Sequence, residues 1–155
     1  MTPRAIIAAF AAAALLPAAA FAAPVAGADR ANAARTCKAL QESLGAATFK
    51  ETYGTNADKS NAYGQCVART ARAEAASREA ARAACASERG AAFGRCVAGK
   101  TAEARAESRQ DVQNAARRCS AERRTLGAAA FATKYGTRAN AFGRCVSKLA
   151  QGSDG

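Results

Sequence analysis

The heptapeptide Asn61-Ala62-Tyr63-Gly64-Gln65-Cys66-Val67 recurs as Ala91-Ala92-Phe93-Gly94-Arg95-Cys96-Val97 and again as Asn140-Ala141-Phe142-Gly143-Arg144-Cys145-Val146. Each copy has a partner cysteine upstream: Cys37, Cys85 and Cys119. The first and third copies also share a middle. Leu44-Gly45-Ala46-Ala47-Thr48-Phe49 matches Leu126-Gly127-Ala128-Ala129-Ala130-Phe131, and Tyr53-Gly54-Thr55 matches Tyr135-Gly136-Thr137. The second copy lacks that middle and runs from Cys85 through Gly90 straight into its Phe-Gly-Arg-Cys. Self-similarity of this kind marks one structural unit used repeatedly, so the chain reads as three cysteine units, about 29–67, 85–97 and 119–151.

Six cysteines in a small chain imply a disulfide framework with many formal connectivities. If each unit staples itself, the bonds are Cys37–Cys66, Cys85–Cys96 and Cys119–Cys145. Helix geometry supports this pairing independently. Residues 61–89 and 91–126 read as long helices, dense in Ala, Arg and Glu and free of proline. At about 1.5 Å per residue, Cys66 and Cys85 would stand about 28 Å apart on the first, and Cys96 and Cys119 about 34 Å apart on the second. Bonded Cα atoms approach to roughly 4.4–6.8 Å, so neither of those pairs can bond. Cys85 and Cys96 meet if the chain turns back at Gly90. The absence of histidine, of C-x-x-C and of short ligand spacings argues against a metal site.

The expected fold is all-α: disulfide-stapled, Ala-rich helical hairpins with two long helices and three related cysteine units. Leu, Ile, Val and Phe together number 19 against 48 alanines, so an oily core of ordinary size is excluded; large apolar side chains supply most burial energy, roughly 1.5–3 kcal/mol each. Asp29 is read as the N-cap of a first helix ending at Gly45. A short helix follows, carrying Phe49 and Tyr53 at i, i+4 spacing on one side, closed by Gly54; Ser60 or Asn61 opens the next. Phe131, Tyr135 and Asn140 repeat this arrangement. Gly64, Gly94 and Gly143 are read as admitting the disulfide partner helix. The large apolar residues, Tyr63 and Leu126 among them, are expected around the stapled ends, and the alanine-rich middles, 68–84 and 101–116, to bury little.

Residues 1–22 read as a secretory signal peptide: one positive charge, an apolar run from Ala5 to Leu16, Pro17, and the small-residue site Ala20-Phe21-Ala22. Ala26-Gly27-Ala28 gives an alternative end at 28. A single helical domain, 29–151, and a disordered tail, 152–155, complete the chain, with no transmembrane segment expected after cleavage. The expected location is secreted, periplasmic or otherwise extracytoplasmic. The Tyr-Gly-Thr and Asn-Ala-Phe-Gly-Arg-Cys-Val pattern resembles that of short Ala-rich secreted proteins of GC-rich bacteria, a group with no established activity. The likeness covers the two full units, about 37–67 and 119–146, and implies a secreted helical repeat protein; the short middle unit departs from it.

Catalysis needs a nucleophile, base or metal with an activating partner, and none is legible. Glu103, Glu107 and Asp111 form a row on one helical face but offer no calcium loop geometry; with Arg105 and Arg109 beside them they read as a solvated face. No catalytic, metal or cofactor-binding residue is assigned, no cofactor is expected, and the protein is read as a non-enzyme. The formal net charge is +11, increasing toward the C-terminus. Arg117, Arg118, Arg123, Arg124, Arg138, Arg144 and Lys148 are the candidate contacts for a polyanion such as an acidic cell-envelope polymer. The alternative is a structural or protein-interaction module that meets a protein partner through its Ala-rich helix faces. No recognised module suggests sequence-specific nucleic-acid binding.

In the chain-entropy picture each staple contributes roughly 3–3.6 kcal/mol, so three together match the stability of a small domain. Reduction is therefore expected to abolish the cooperative thermal transition followed by circular dichroism while leaving partial helicity; an unchanged cooperative melt would contradict it.

Overall fold

Alanine favours helix almost everywhere along this chain, so the architecture is decided by what interrupts it. A computed structural model describes residues 23–137 and 139–152; the expected signal segment 1–22, Arg138 and residues 153–155 of the tail lie outside the described residues. Five helices run α1 (Gly27–Leu44), α2 (Ala46–Tyr53), α3 (Ala62–Ala84), α4 (Gly90–Tyr135) and α5 (Ala141–Gln151), with no strand among the described residues. The disulfides are Cys37–Cys66, Cys85–Cys96 and Cys119–Cys145, each with Cα atoms 6.0 Å apart. Every unit is stapled within itself, and the fold is the expected all-α one.

The staples set the topology. Cys37–Cys66 and the ion pair of Asp29 with Arg78 lay α1 antiparallel to α3. Cys85–Cys96 and Glu74–Arg105 do the same for α3 and α4, and Cys119–Cys145 returns α5 along α4. One buried cluster gathers Cys37, Leu40, Phe49, Tyr53, Ala62 and Cys66. A second contains Cys119, Phe131, Tyr135, Phe142, Cys145 and Val146. Leu44 and Val112 pack against both, joining the first and third units into one core.

The repeated Leu-Gly-Ala-Ala gives one backbone device used twice. Gly45 has φ 76° and ψ 154°, Gly127 φ 77° and ψ 160°; this positive-φ geometry is accessible to glycine at little steric penalty. At Gly45 it separates α1 from α2. At Gly127 it breaks α4, so 128–135 is the counterpart of α2. The aromatic pairs match as well, with ring centroids 5.0 Å apart in Phe49–Tyr53 and 4.9 Å in Phe131–Tyr135.

Several local expectations are corrected. The helix expected over 61–89 stops at Ala84, because Cys85 must turn toward Cys96; its N–H still donates to the Ala81 carbonyl, and residues 85–87 form the turn. The helix expected to end at 126 does end there, at the non-helical Gly127, and the expected short helix with Phe131 and Tyr135 follows it. Asp29 is not the N-cap of α1. The helix starts at Gly27, and the Asp29 carboxylate reaches back from the first turn to accept the Ala26 N–H at 2.7 Å. Tyr63 and Leu126 are exposed, each at 42%. Tyr63 keeps its hydroxyl at the surface, donating to the Ala34 carbonyl. Leu44 packs against both buried clusters, whereas Leu126 packs against neither among the described residues. The alanine middles bury more than expected: Ala71, Ala75, Ala81, Ala115 and Ala116 are all inside.

The glycines of the repeated motif are not equivalent either. A Cβ on Gly64 or Gly94 would meet nothing within 4 Å, whereas one on Gly143 would lie 2.6 Å from the Thr52 carbonyl oxygen. Gly143 therefore admits the backbone of α2, not the helix bonded through Cys119. Gly143→Ala is expected to destabilise by about 1–3 kcal/mol through overpacking. Gly64→Ala and Gly94→Ala should instead stabilise by up to about 1 kcal/mol from helix propensity. Urea unfolding of the three variants reads the opposite signs directly.

Candidate functional site

Ion pairing divides the cations into those used by the fold and those left to solvent. Arg78 holds Asp29 at 2.6 Å and Arg105 holds Glu74 at 2.5 Å; both carboxylates are buried, and a buried charge is tolerable only when paired. Arg123 binds Glu51 at 2.7 Å and stacks over the Phe142 ring, 5.1 Å from its centroid. Lys134 and the Tyr135 hydroxyl both bind the Glu122 carboxylate. These interactions, with the Lys134 hydrogen bond the largest, hold the Glu122 pKa below its ordinary value.

The residues expected to meet a polyanion consequently separate. Arg117, Arg118 and Arg124 are exposed on α4, and Arg117 donates to Asn114 at 2.9 Å. Arg117 and Arg118 line a shallow hollow of about 400 Å³ with Asp111 and Leu149. Arg123 is committed to Glu51 and Phe142. Arg138 lies outside the described residues. Arg144 and Lys148 are exposed on α5 and line a different hollow, of about 390 Å³. There they are joined by Arg69 of α3, a residue that sequence reasoning missed. The signal was present: Arg69 follows Cys66 by three residues as Lys148 follows Cys145, so the two cations occupy the same repeat position. No carboxylate lines that hollow among the described residues.

A larger hollow of about 450 Å³ adjoins it, framed by residues of all five helices. The two share Thr52, Arg69, Ser147 and Gln151. Leu40, Tyr53, Val112 and Val146 give the larger one apolar walls, and Glu107, Arg109 and Asp111 of α4 contribute charge. Glu107 and Asp111, two of the three acids in the row along α4, thus border this space; no three His, Cys, Asp or Glu side chains among the described residues are grouped to hold a metal ion. All six cysteines are bonded.

Tyr53 is 7% exposed, and its hydroxyl makes no hydrogen bond to any described residue. Burial pushes its pKa from 10.0 up to about 12, against a smaller lowering by the positive charge of Arg69. The sequence matches no protein-family model, and comparison with curated proteins and with solved structures finds no significant similarity.

The Tyr53 shift fixes a sign. A phenol protonated more tightly in the folded state adds stability in full below pH 10, and that stability is lost as pH rises from 10 to 12. Urea unfolding across this window should show the decline in the parent chain and a shallower one in Tyr53→Phe; identical profiles would contradict the assignment.

Proposed function

We propose that this is an extracytoplasmic, non-enzymatic binding protein that docks on acidic envelope polymers through its exposed C-terminal cations. The observation that carries this reading is the division of the basic residues. The fold neutralises Arg78, Arg105, Arg123 and Lys134, while Arg117, Arg118, Arg124, Arg144 and Lys148 stand exposed, with no ion pair to a carboxylate among the described residues. Such charges attract a polyanion by releasing its counterions, and they do not demand a shaped pocket.

The extracytoplasmic placement has separate support. Three intrachain disulfides suit an oxidising compartment, and residues 1–22 carry the parts of a secretory signal. No helix of the described residues is long and apolar enough to cross a membrane. The alanines that motivated a helix-packing role, Ala71, Ala75, Ala81, Ala115 and Ala116, are covered by the chain's own helices, which leaves the polymer reading better supported.

The test uses the oxidised chain beginning at Ala23, titrated with polyphosphate and with alginate at increasing salt. Affinity should fall steeply with ionic strength. The triple variant Arg117→Gln, Arg118→Gln, Arg124→Gln should bind more weakly, with the log–log salt slope shallower by about one for each arginine that engages the polymer in the parent chain. Arg123 is left intact because its removal would strand Glu51. Equal affinity and equal slope in parent and variant would refute the proposal.

A further inference from the structure

The two full units contain the same tyrosine in the same aromatic pair, but only one of its hydroxyls is used by the protein. Tyr135 donates to Glu122 at 2.8 Å. The residue corresponding to Glu122, three positions after the first cysteine of its unit, is Leu40 in the first unit. Tyr53 therefore faces an apolar side chain where Tyr135 meets a carboxylate, and its hydroxyl, on a ring more than nine-tenths buried, has no partner among the described residues. The hydroxyl itself is not sealed from solvent, so it remains a donor that a ligand oxygen can reach. Tyr53 lines the larger hollow, whose wall continues through Arg69 into the hollow bordered by Arg144 and Lys148. A donor, four cations, two carboxylates and an apolar floor thus border two adjoining hollows. The two, about 450 and 390 Å³, each have the size of a small-molecule site.

We propose that these adjoining hollows bind a small amphiphilic anion, a carboxylate or phosphate monoester carrying a short apolar chain or ring. Its anionic group sits at Arg69, Arg144 and Lys148, an oxygen near that group accepts from the Tyr53 hydroxyl, and its apolar part lies against Leu40, Val112 and Val146. The wall from α4 sets the polarity of the ligand: Glu107 and Asp111 outnumber Arg109 on that side of the larger hollow and disfavour a second negative charge there, so a molecule with one anionic end is favoured over one charged at both. The high pKa of Tyr53 keeps the phenol a donor throughout the neutral range. This site does not rest on polymer binding, although it shares Arg144 and Lys148 with that reading; the α4 cations Arg117, Arg118 and Arg124 belong to the polymer reading alone.

The probe is octyl phosphate, titrated by calorimetry into the oxidised chain beginning at Ala23, with inorganic phosphate and octyl glucoside run beside it. Saturable one-to-one binding of octyl phosphate is expected, tighter than either control by at least about tenfold, because each control lacks one half of the interaction. Tyr53→Phe keeps the ring against Phe49 and removes only the donor; it and Arg69→Met should each weaken binding about tenfold, the scale of one hydrogen bond to a charged group. Tyr135→Phe and the triple α4 variant should leave binding unchanged, so failure here and failure of polymer docking are separately visible. Absence of binding, equal binding of inorganic phosphate, or affinity indifferent to both Tyr53→Phe and Arg69→Met would overturn the proposal.

Discussion

Everything in this fold depends on three covalent links placed where helices would otherwise have little to hold them. Alanine makes helices readily but buries little surface when they meet. The few large side chains are therefore concentrated around the bonded cysteines: Leu40, Phe49 and Tyr53 with Cys37 and Cys66, and Phe131, Tyr135, Phe142 and Val146 with Cys119 and Cys145. The cross-link fixes the approach of two helices, and the aromatic pair fills the space beside it. The middle unit, with only Phe93 and Val97 half-buried near its bond, relies most on the link itself. This division suits a small chain that cannot assemble an ordinary core.

Repetition in sequence has not produced repetition in environment. Gly45 and Gly127 turn the chain alike, and the two Phe–Tyr pairs are nearly identical in spacing. Their neighbours differ. Leu44 bridges two clusters while Leu126 is exposed. A Cβ on Gly143 would collide with the backbone of α2, while one on Gly64 would meet open space. Tyr135 is tied to Glu122 and Tyr53 is not. Where a repeated residue has no structural partner, it becomes available for another.

What could be read from the sequence was whatever spacing alone determines. Cysteine separation along a helix, a helix end at Gly45, and aromatics four residues apart are local properties, and all three reappear in the structure. The features that escaped depend on which helix faces which. Arg117, Arg118, Arg123 and Arg124 look alike in sequence, but only Arg123 points toward Glu51 and Phe142. Arg69 lines one hollow with Arg144 and Lys148 only because α5 is folded back onto α4 and α2. The end of α3 was equally hidden: cysteine carries no stop signal, and it is the bond to Cys96 that diverts the chain at Cys85. Asp29 reads as a cap because it does serve the helix start, from inside the first turn rather than before it.

The buried carboxylates bear on a different problem, that of alignment. Two alanine-faced helices present almost the same surface after a shift of one turn, so methyl groups alone cannot say how far one rod should slide along the other. Asp29 opposite Arg78 and Glu74 opposite Arg105 remove that ambiguity. Sliding either interface by a turn would leave an acid enclosed without its guanidinium, and an enclosed lone charge is strongly disfavoured. The charges thus act as index marks along otherwise featureless cylinders, supplying the uniqueness that interlocking large side chains supply in an oilier protein.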